Sequence, residues 1–592
     1  MKKLLLSTLL AILYTYVSAQ SFNGFALYNA QGSNTTYLID ENQNIAHTWN
    51  MTTSCNYTVQ IKENGNLIRG TKYNNTSVFS NSNMAASGGR VQEIAPDGSI
   101  VWDYFYANSN HYSHHDLTLI GDNVLLTAWE KKTSNELNNA GYNNANSEKW
   151  PTHFVELEPD GNGGANIIWE WHIWDHMCQD TDAGKPNYAA NISDNPELID
   201  INMVQSQGGP GGGDWFHVNG VDYNEDLDQI AFSSRPASEI YIIDHSTTTA
   251  EAASHSGGNS GMGGDILYRW GNPSNYGMSG AQIIDNAVHD VRWITDDGRP
   301  NGGYLQIFNN SGVSNNQSAI DGIETPWDTV TNTYLRIPGQ AFAPASYTTR
   351  YACAYSASGQ SASDRMSNGN IYVNASSGQG GSGVMYEVDS LGNLIWGPYN
   401  SQSQKGFRYE CDYPGIIALE PYMNTATSSC FSVITESWDC DGQGNCYDPG
   451  TGNGQYGSLS SCQSSCIVPT WNCDGGACVD PGTGNGIYPT LTDCQANCAV
   501  VGISDLDYEL FNVYPNPSNS LFNVTYFAQE IENVQIRILN SIGEVIFRKH
   551  VSNISGENNI ALNLENVPES IYIIELINSN NDRYTKRVHI IK

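Results

Sequence analysis

Asp214 to Arg235 is the stretch richest in groups that could do chemistry. It reads DWFHVNGVDYNEDLDQIAFSSR: a strand, a turn over Asn224 to Asp228, and a second strand. Pairing Tyr223 with Gln229 sets Asn219 opposite Ser233 and His217 opposite Arg235. Side chains on a strand alternate faces, so His217, Asn219, Ala231, Ser233 and Arg235 share one face while Ile230 and Phe232 take the other. A His, an Asn, a Ser and an Arg make poor core. They make a good anion cradle, because the guanidinium fork offers paired donors and the His and Asn add others. The competing reading is a solvated hairpin face.

Other histidines recur at the same distance from a turn. His217 lies seven residues before Asn224, His115 seven before Asp122, His289 seven before Asp296, and Tyr57 seven before Asn64. Equal offsets in repeated hairpins mean equal height and the same face. If those strands line one channel, three imidazoles and a phenol converge on it. A neutral imidazole near its ordinary pKa can act as a nucleophile at physiological pH. The spacing alone does not say which of the three would attack. His289 is followed on its face by Val291 and Trp293, and apolar neighbours favour the neutral ring.

The elements that must hold these residues read as all-β. Residues 20–430 are rich in Gly, Asn, Ser, Tyr and Trp and show many turn signals and little helical periodicity. One unit recurs: an apolar strand, an Asp/Asn/Gly turn, and a strand ending in tryptophan at Trp49, Trp102, Trp171, Trp270 and Trp396. A second hairpin recurs at IKENGN, LIGDN, VDYNED, ITDDG and MSNGN. Hairpins repeated at this irregular period predict a β-propeller. Five inner hairpins are distinct, and six blades are inferred.

The flanking segments bound where the chain works. Residues 1–19 predict an export signal: Lys2 and Lys3, an apolar run from Leu4 to Val17, then Val17-Ser18-Ala19 as a cleavage site. No later run predicts a transmembrane helix. Lys and Arg total 26 against 61 Asp and Glu, a net charge of −35, which argues against nucleic acid. Of 13 cysteines, eight fall between Cys440 and Cys498. There WDCDGQGNCYDPGTGNGQYGSLSSCQSSC and WNCDGGACVDPGTGNGIYPTLTDCQANC form a tandem repeat over 437–499, small enough to need two internal disulfides each. Residues 508–592 alternate as strands and predict a β-sandwich. His111, His114 and His115, or His172, Asp175 and His176, are conceivable metal ligands. No helical HExxH is present, and neither a catalytic metal nor a cofactor is expected.

Two resemblances then sharpen the reading. Residues 20–430 resemble the arylsulfate sulfotransferase family through His114-His115-Asp116, through Asp214-Trp215-Phe216-His217-Val218-Asn219 with Ser233-Ser234-Arg235, and through His289-Asp290. The resemblance implies a six-bladed propeller that transfers a sulfuryl group from an aryl sulfate to a phenol through a sulfated histidine, with no nucleotide donor. It implies that His217, Asn219 and Arg235 bind the sulfuryl oxygens, that His115 assists, and that His289 is the nucleophile. Ser233, Tyr57 and His114 join as candidate substrate contacts. Gly220 and Pro236 depart from the family pattern beside the site. The last segment resembles the type IX secretion sorting domain of certain Gram-negative bacteria, on Tyr514-Pro515-Asn516-Pro517, Ser541-Ile542-Gly543-Glu544, Ile571-Tyr572 and the tail from Lys586 to Lys592. That implies engagement of the type IX machinery and release or attachment at the cell surface. The alternative function is a non-catalytic propeller adhesin or glycan-binding surface protein.

Overall fold

The computed structural model describes residues 21–431 apart from 31, 74–87, 205–212, 281–283, 285–286 and 379–380, and most of 437–498 and 511–591. The export signal and the Ser541–Glu544 motif lie outside the described residues. The chain divides into two compact units, Met1–Val433 and Ile434–Lys592.

The first unit is a β-propeller. Six four-stranded antiparallel sheets succeed one another among its described residues. Their first strands are Ser403–Glu410, Cys55–Ile61, His111–Ile120, Val218–Asn224, Val288–Trp293 and Ala362–Arg365, and each lies beside the next in a ring. The five distinct hairpins of the sequence join the first and second strands of five sheets. The remaining sheet has no such hairpin because its first strand comes from the far end of the unit: Ser403–Glu410 pairs with Gly24–Ala30.

The tryptophans show what fastens the ring. All five end up buried on the fourth strand of a sheet. Each indole N–H donates to a backbone carbonyl in the next sheet: Trp49 to Ala95, Trp102 to Gly164, Trp171 to Gly264, Trp270 to Pro344 and Trp396 to Glu41. The last of these returns from the sixth sheet to the first. A Trp buried among apolar neighbours must place its N–H on a partner, and a turn carbonyl of the adjacent blade serves.

The second unit begins with the two repeats, each a two-stranded ribbon with a short helix, Leu459–Ser465 or Leu491–Cys498. Disulfides join Cys440 to Cys466 and Cys446 to Cys462 in the first repeat. In the second, Cys478 joins Cys494 and Cys473 is also disulfide-bonded. A further disulfide, Cys411–Cys430, lies in the first unit, while Cys55, Cys178 and Cys353 are buried thiols. The final segment forms one three-stranded and one four-stranded sheet. Phe522, Val524 and Leu562 of the first and Ile536, Ile574 and Val588 of the second share one core. No described helix is long and apolar enough to cross a membrane.

Candidate active site

The first strand of each propeller sheet is an edge strand, so its outward N–H groups lack a ladder partner and must find one. Buried aspartates supply it. Asp116 accepts from the backbone N–H of Val221 at 3.1 Å, Asp222 from that of Trp293 at 2.9 Å, and Asp290 from that of Ser363 at 3.1 Å. Each carboxylate thus ties one first strand to the next and fixes their relative height. Lys405, on the Ser403–Glu410 strand, lies 2.7 Å from Asp116 and 3.1 Å from Asp290. Its fully buried ammonium spans three sheets.

Against this lattice the candidate histidines come together. The rings of His115 and His217 meet edge to face at 4.3 Å between centroids. Both residues adopt left-handed backbone, with φ of 44° and 49°. His115 sits inside a bulge, where the pairing slips between Ser113 and Leu117, and His217 lies just before its strand, two residues from the bulge at Asn219. Bulges re-aim side chains and recur beside active sites. In the Val288–Trp293 strand the left-handed residue is Asp290, at 52°, and not His289. The equal offsets therefore mark one region, but the backbone there is not equivalent in all three strands.

The Asp214–Arg235 hairpin corrects the expected register. Asn224, not Tyr223, pairs with Gln229. Asn224 stays in the ladder because its side-chain oxygen accepts the N–H of Leu227 at 2.9 Å and closes a shorter turn. A regular ladder from that start would part the expected partners by one residue. The bulge at Asn219 absorbs it. Ser233 then donates to Asn219 Oδ1 at 2.6 Å, and the Arg235 N–H reaches the carbonyl of His217 at 3.4 Å. Asn219 also donates to the Val288 carbonyl at 2.7 Å, so one end of its amide is held by the second strand of its own sheet and the other ties that sheet to the first strand of the next. Gly220 is required here. A Cβ on it would lie 2.7 Å from the backbone nitrogen of Asp290, so the smallest residue lets the strands carrying His217 and His289 approach.

Each imidazole has its own partner. His217 Nδ1 bonds to the buried carboxylate of Asp214, which also accepts from Trp129 at 2.9 Å. Burial opposes the charge on Asp214, but His217 and the hydrogen bonds hold its pKa below the usual carboxylate value. His289 Nδ1 lies 2.6 Å from Asn310 Oδ1. His114 stacks on Trp129 at 4.0 Å, and its Nδ1 meets that of His115 at 2.9 Å. Burial pushes the pKa of His114 down to about 3 and those of His115 and His289 well below the ordinary imidazole value. Neighbouring basic side chains add to this: His217 and Lys405 act on both His115 and His289, and Arg235 acts on His289.

Arg235 completes the group. Its Nε is buried without a hydrogen-bond partner, and no carboxylate among the described residues pairs with it. Two other cations, both on first strands, are matched to acids, Lys405 to Asp116 and Asp290 and Arg292 to Asp290. A half-buried guanidinium with an open donor can hold an anion. The Tyr57 side chain lies outside the described residues. Asn310, Asp214 and Lys405 were not singled out from sequence. Asp214 opens the motif stretch, three residues before His217, and could have been; Asn310 comes from the strand paired with that of His289, and Lys405 from the far end of the unit.

A family model for arylsulfotransferase matches residues 14–327, more than half the chain, and every candidate site residue falls inside it. The chain belongs to the arylsulfotransferase family. A second model, the secretion system C-terminal sorting domain, matches residues 512–592, and this arylsulfotransferase is accordingly routed by type IX export to the cell surface or the medium. No curated protein matches the chain. Among solved structures, a putative 6-phosphogluconolactonase from Bacteroides fragilis is similar at 9% identity, covering 66% of this chain and 98% of its own, with a TM-score of 0.32. A β-propeller domain from Myceliophteria thermophila is similar at 11% identity, covering 64% and 85%, with a TM-score of 0.31. The arylsulfotransferase match ends before Ser403–Glu410, so Lys405 comes from outside it yet reaches two of its aspartates.

Proposed function

We propose that this arylsulfotransferase moves a sulfuryl group from an aryl sulfate ester to a phenolic acceptor in two displacements, with His289 as the covalent carrier and no nucleotide donor. The observation that carries the reading is the contact between His289 and Asn310. Asn310 Nδ2 is committed to the carbonyls of Ala357 and Gln360 at 2.9 and 3.2 Å. Its Oδ1 must therefore face His289 and accept the proton on Nδ1. The lone pair is left on Nε2, and burial keeps the ring neutral.

In the first displacement His289 Nε2 forms a bond to sulfur while the sulfur–oxygen bond to the aryl group breaks and a phenolate leaves. In the second, an acceptor phenol oxygen bonds to the same sulfur and the nitrogen–sulfur bond breaks. Arg235 binds the sulfuryl oxygens throughout, since no carboxylate among the described residues neutralises its charge. His217, oriented by Asp214, serves as proton carrier to the leaving phenolate and from the acceptor. Asn219 and Ser233 hold the strands of His217 and His289 in place. Sulfuryl transfer resembles phosphoryl transfer in relying on positioning and charge stabilisation, and this arrangement supplies both. The test is incubation with a chromogenic aryl sulfate and no acceptor, followed by digestion under alkaline conditions that preserve sulfohistidine. A sulfated peptide containing His289 is expected. One containing His115 or His217 instead overturns the assignment.

A further inference from the structure

A second histidine cluster lies away from the catalytic group. His176 ends the short helical turn Ile173–His176 that follows the third sheet. His255 and Asp265 belong to the Ser- and Gly-rich connection between the last two strands of the fourth sheet. Asp265 Oδ1 lies 2.8 Å from His176 Nδ1 and 2.7 Å from His255 Nδ1, and the three ligand atoms lie within 4.8 Å of one another. His172 and Asp175 are not part of the cluster.

The other nitrogen of His176 decides what this cluster is for. Nε2 lies 2.8 Å from the carbonyl of Ala252, an acceptor only, so Nε2 carries a proton. With Nε2 so engaged, Nδ1 is the His176 nitrogen that faces the carboxylate, with a second imidazole Nδ1 aimed at the same oxygen. A backbone carbonyl holding the far N–H is the arrangement that orients histidine ligands in metal sites. The ring is fixed further. It stacks on Trp171 with 4° between the planes, and a Cβ on Gly264 would lie 2.5 Å from its Nε2.

We infer that His176 Nδ1, His255 Nδ1 and Asp265 bind a divalent transition-metal ion of the zinc class. Two imidazoles and one carboxylate are a recognised donor set for that ion. His176 and Asp265 form the buried side and the exposed His255 the open side, where water completes the coordination. The ion pins the fourth-sheet connection to the end of the third sheet. It does so where Trp171 Nε1 already donates to Gly264.

The experiment uses the full exported chain, dialysed against EDTA and titrated with Zn2+. Binding is followed by calorimetry and by melting temperature, with wild type beside His255→Ala and Asp265→Asn. His176 is left intact because its buried ring carries packing as well. Wild type should bind one ion more than either variant. Its Tm should rise by about 5 °C at saturating Zn2+, with the variants gaining less than half of that. Equal stoichiometry and equal Tm gain in all three proteins overturns the inference. So does a wild-type Tm that is indifferent to Zn2+ while Asp265→Asn alone lowers it, which would make the cluster a His–Asp–His hydrogen-bond network.

Discussion

Asn310 Oδ1 lies 2.6 Å from His289 Nδ1, and this one contact sets which nitrogen of the ring carries the proton. Asn310 comes from the second strand of the same sheet, 21 residues away in sequence, and its own N–H groups are anchored to Ala357 and Gln360 in the following connection.

Replacing Asn310 should therefore cost catalysis more than binding. Asn310→Leu keeps the size and removes the acceptor. Its kcat on a chromogenic aryl sulfate should fall about 100-fold, the scale of a small misplacement of a reacting group, with KM changing far less. A variant with unchanged kcat would mean the tautomer is set elsewhere.

Arg235 is the open cation of the site. Arg235→Gln should lower kcat/KM about 100-fold or more, in keeping with removal of one donor to developing charge. Inorganic sulfate should inhibit the wild type more strongly than the variant. Equal inhibition of both would place the anion elsewhere.

Lys405 tests the ionic lattice. Removing one member of a buried charge group leaves the others unpaired and costs about 3–5 kcal/mol. Lys405→Met should show this loss in denaturant unfolding, and the double variant with Asp116→Asn should recover part of it. Strictly additive losses would show that the two side chains do not interact.

The histidines give the propeller an acid limit. Burial, the largest cause throughout, lowers the pKa of His47, His111, His114, His115, His153 and His289, whereas acidic partners raise those of His172 and His245 despite burial. A group lowered on folding binds its proton more readily in the unfolded chain. Its contribution is complete above the unfolded value of about 6.5 and is lost as pH falls below it. The two raised groups act oppositely, contributing below that value and losing their contribution as pH rises through their folded pKa. Six outweigh two, so Tm should fall from pH 7 to pH 5, before most carboxylates titrate. A flat profile over that interval would contradict the neutral, buried state of the site.

The sorting segment should be dispensable for turnover, because its sheets share a core that draws only on residues from 513 onward. A chain ending at residue 499 should keep its specific activity on aryl sulfate. A folded truncation without activity would show that the segment supports the site.

Local pattern determined much of this protein. Turn chemistry and period-two alternation located five inner hairpins, the tryptophan-ended strands, and the heights of His115, His217 and His289. Cysteine spacing located the stapled repeats, and the Asp214–Arg235 motif named residues that the structure places close together even with its register one step off. These are readable because each depends on neighbours within a few positions. Tertiary structure alone decided the rest. Whether Asn219 bulges depends on the Val288 carbonyl of another sheet, and whether Asp290 turns from His289 depends on Lys405, 115 residues later. Asn310 looks like any loop-bound Asn until the connection after its sheet folds back and brings the Ala357 and Gln360 carbonyls to its nitrogen. Partners set by ring closure leave no periodic trace in sequence, because distance along the chain carries no information about which blade lies across the channel.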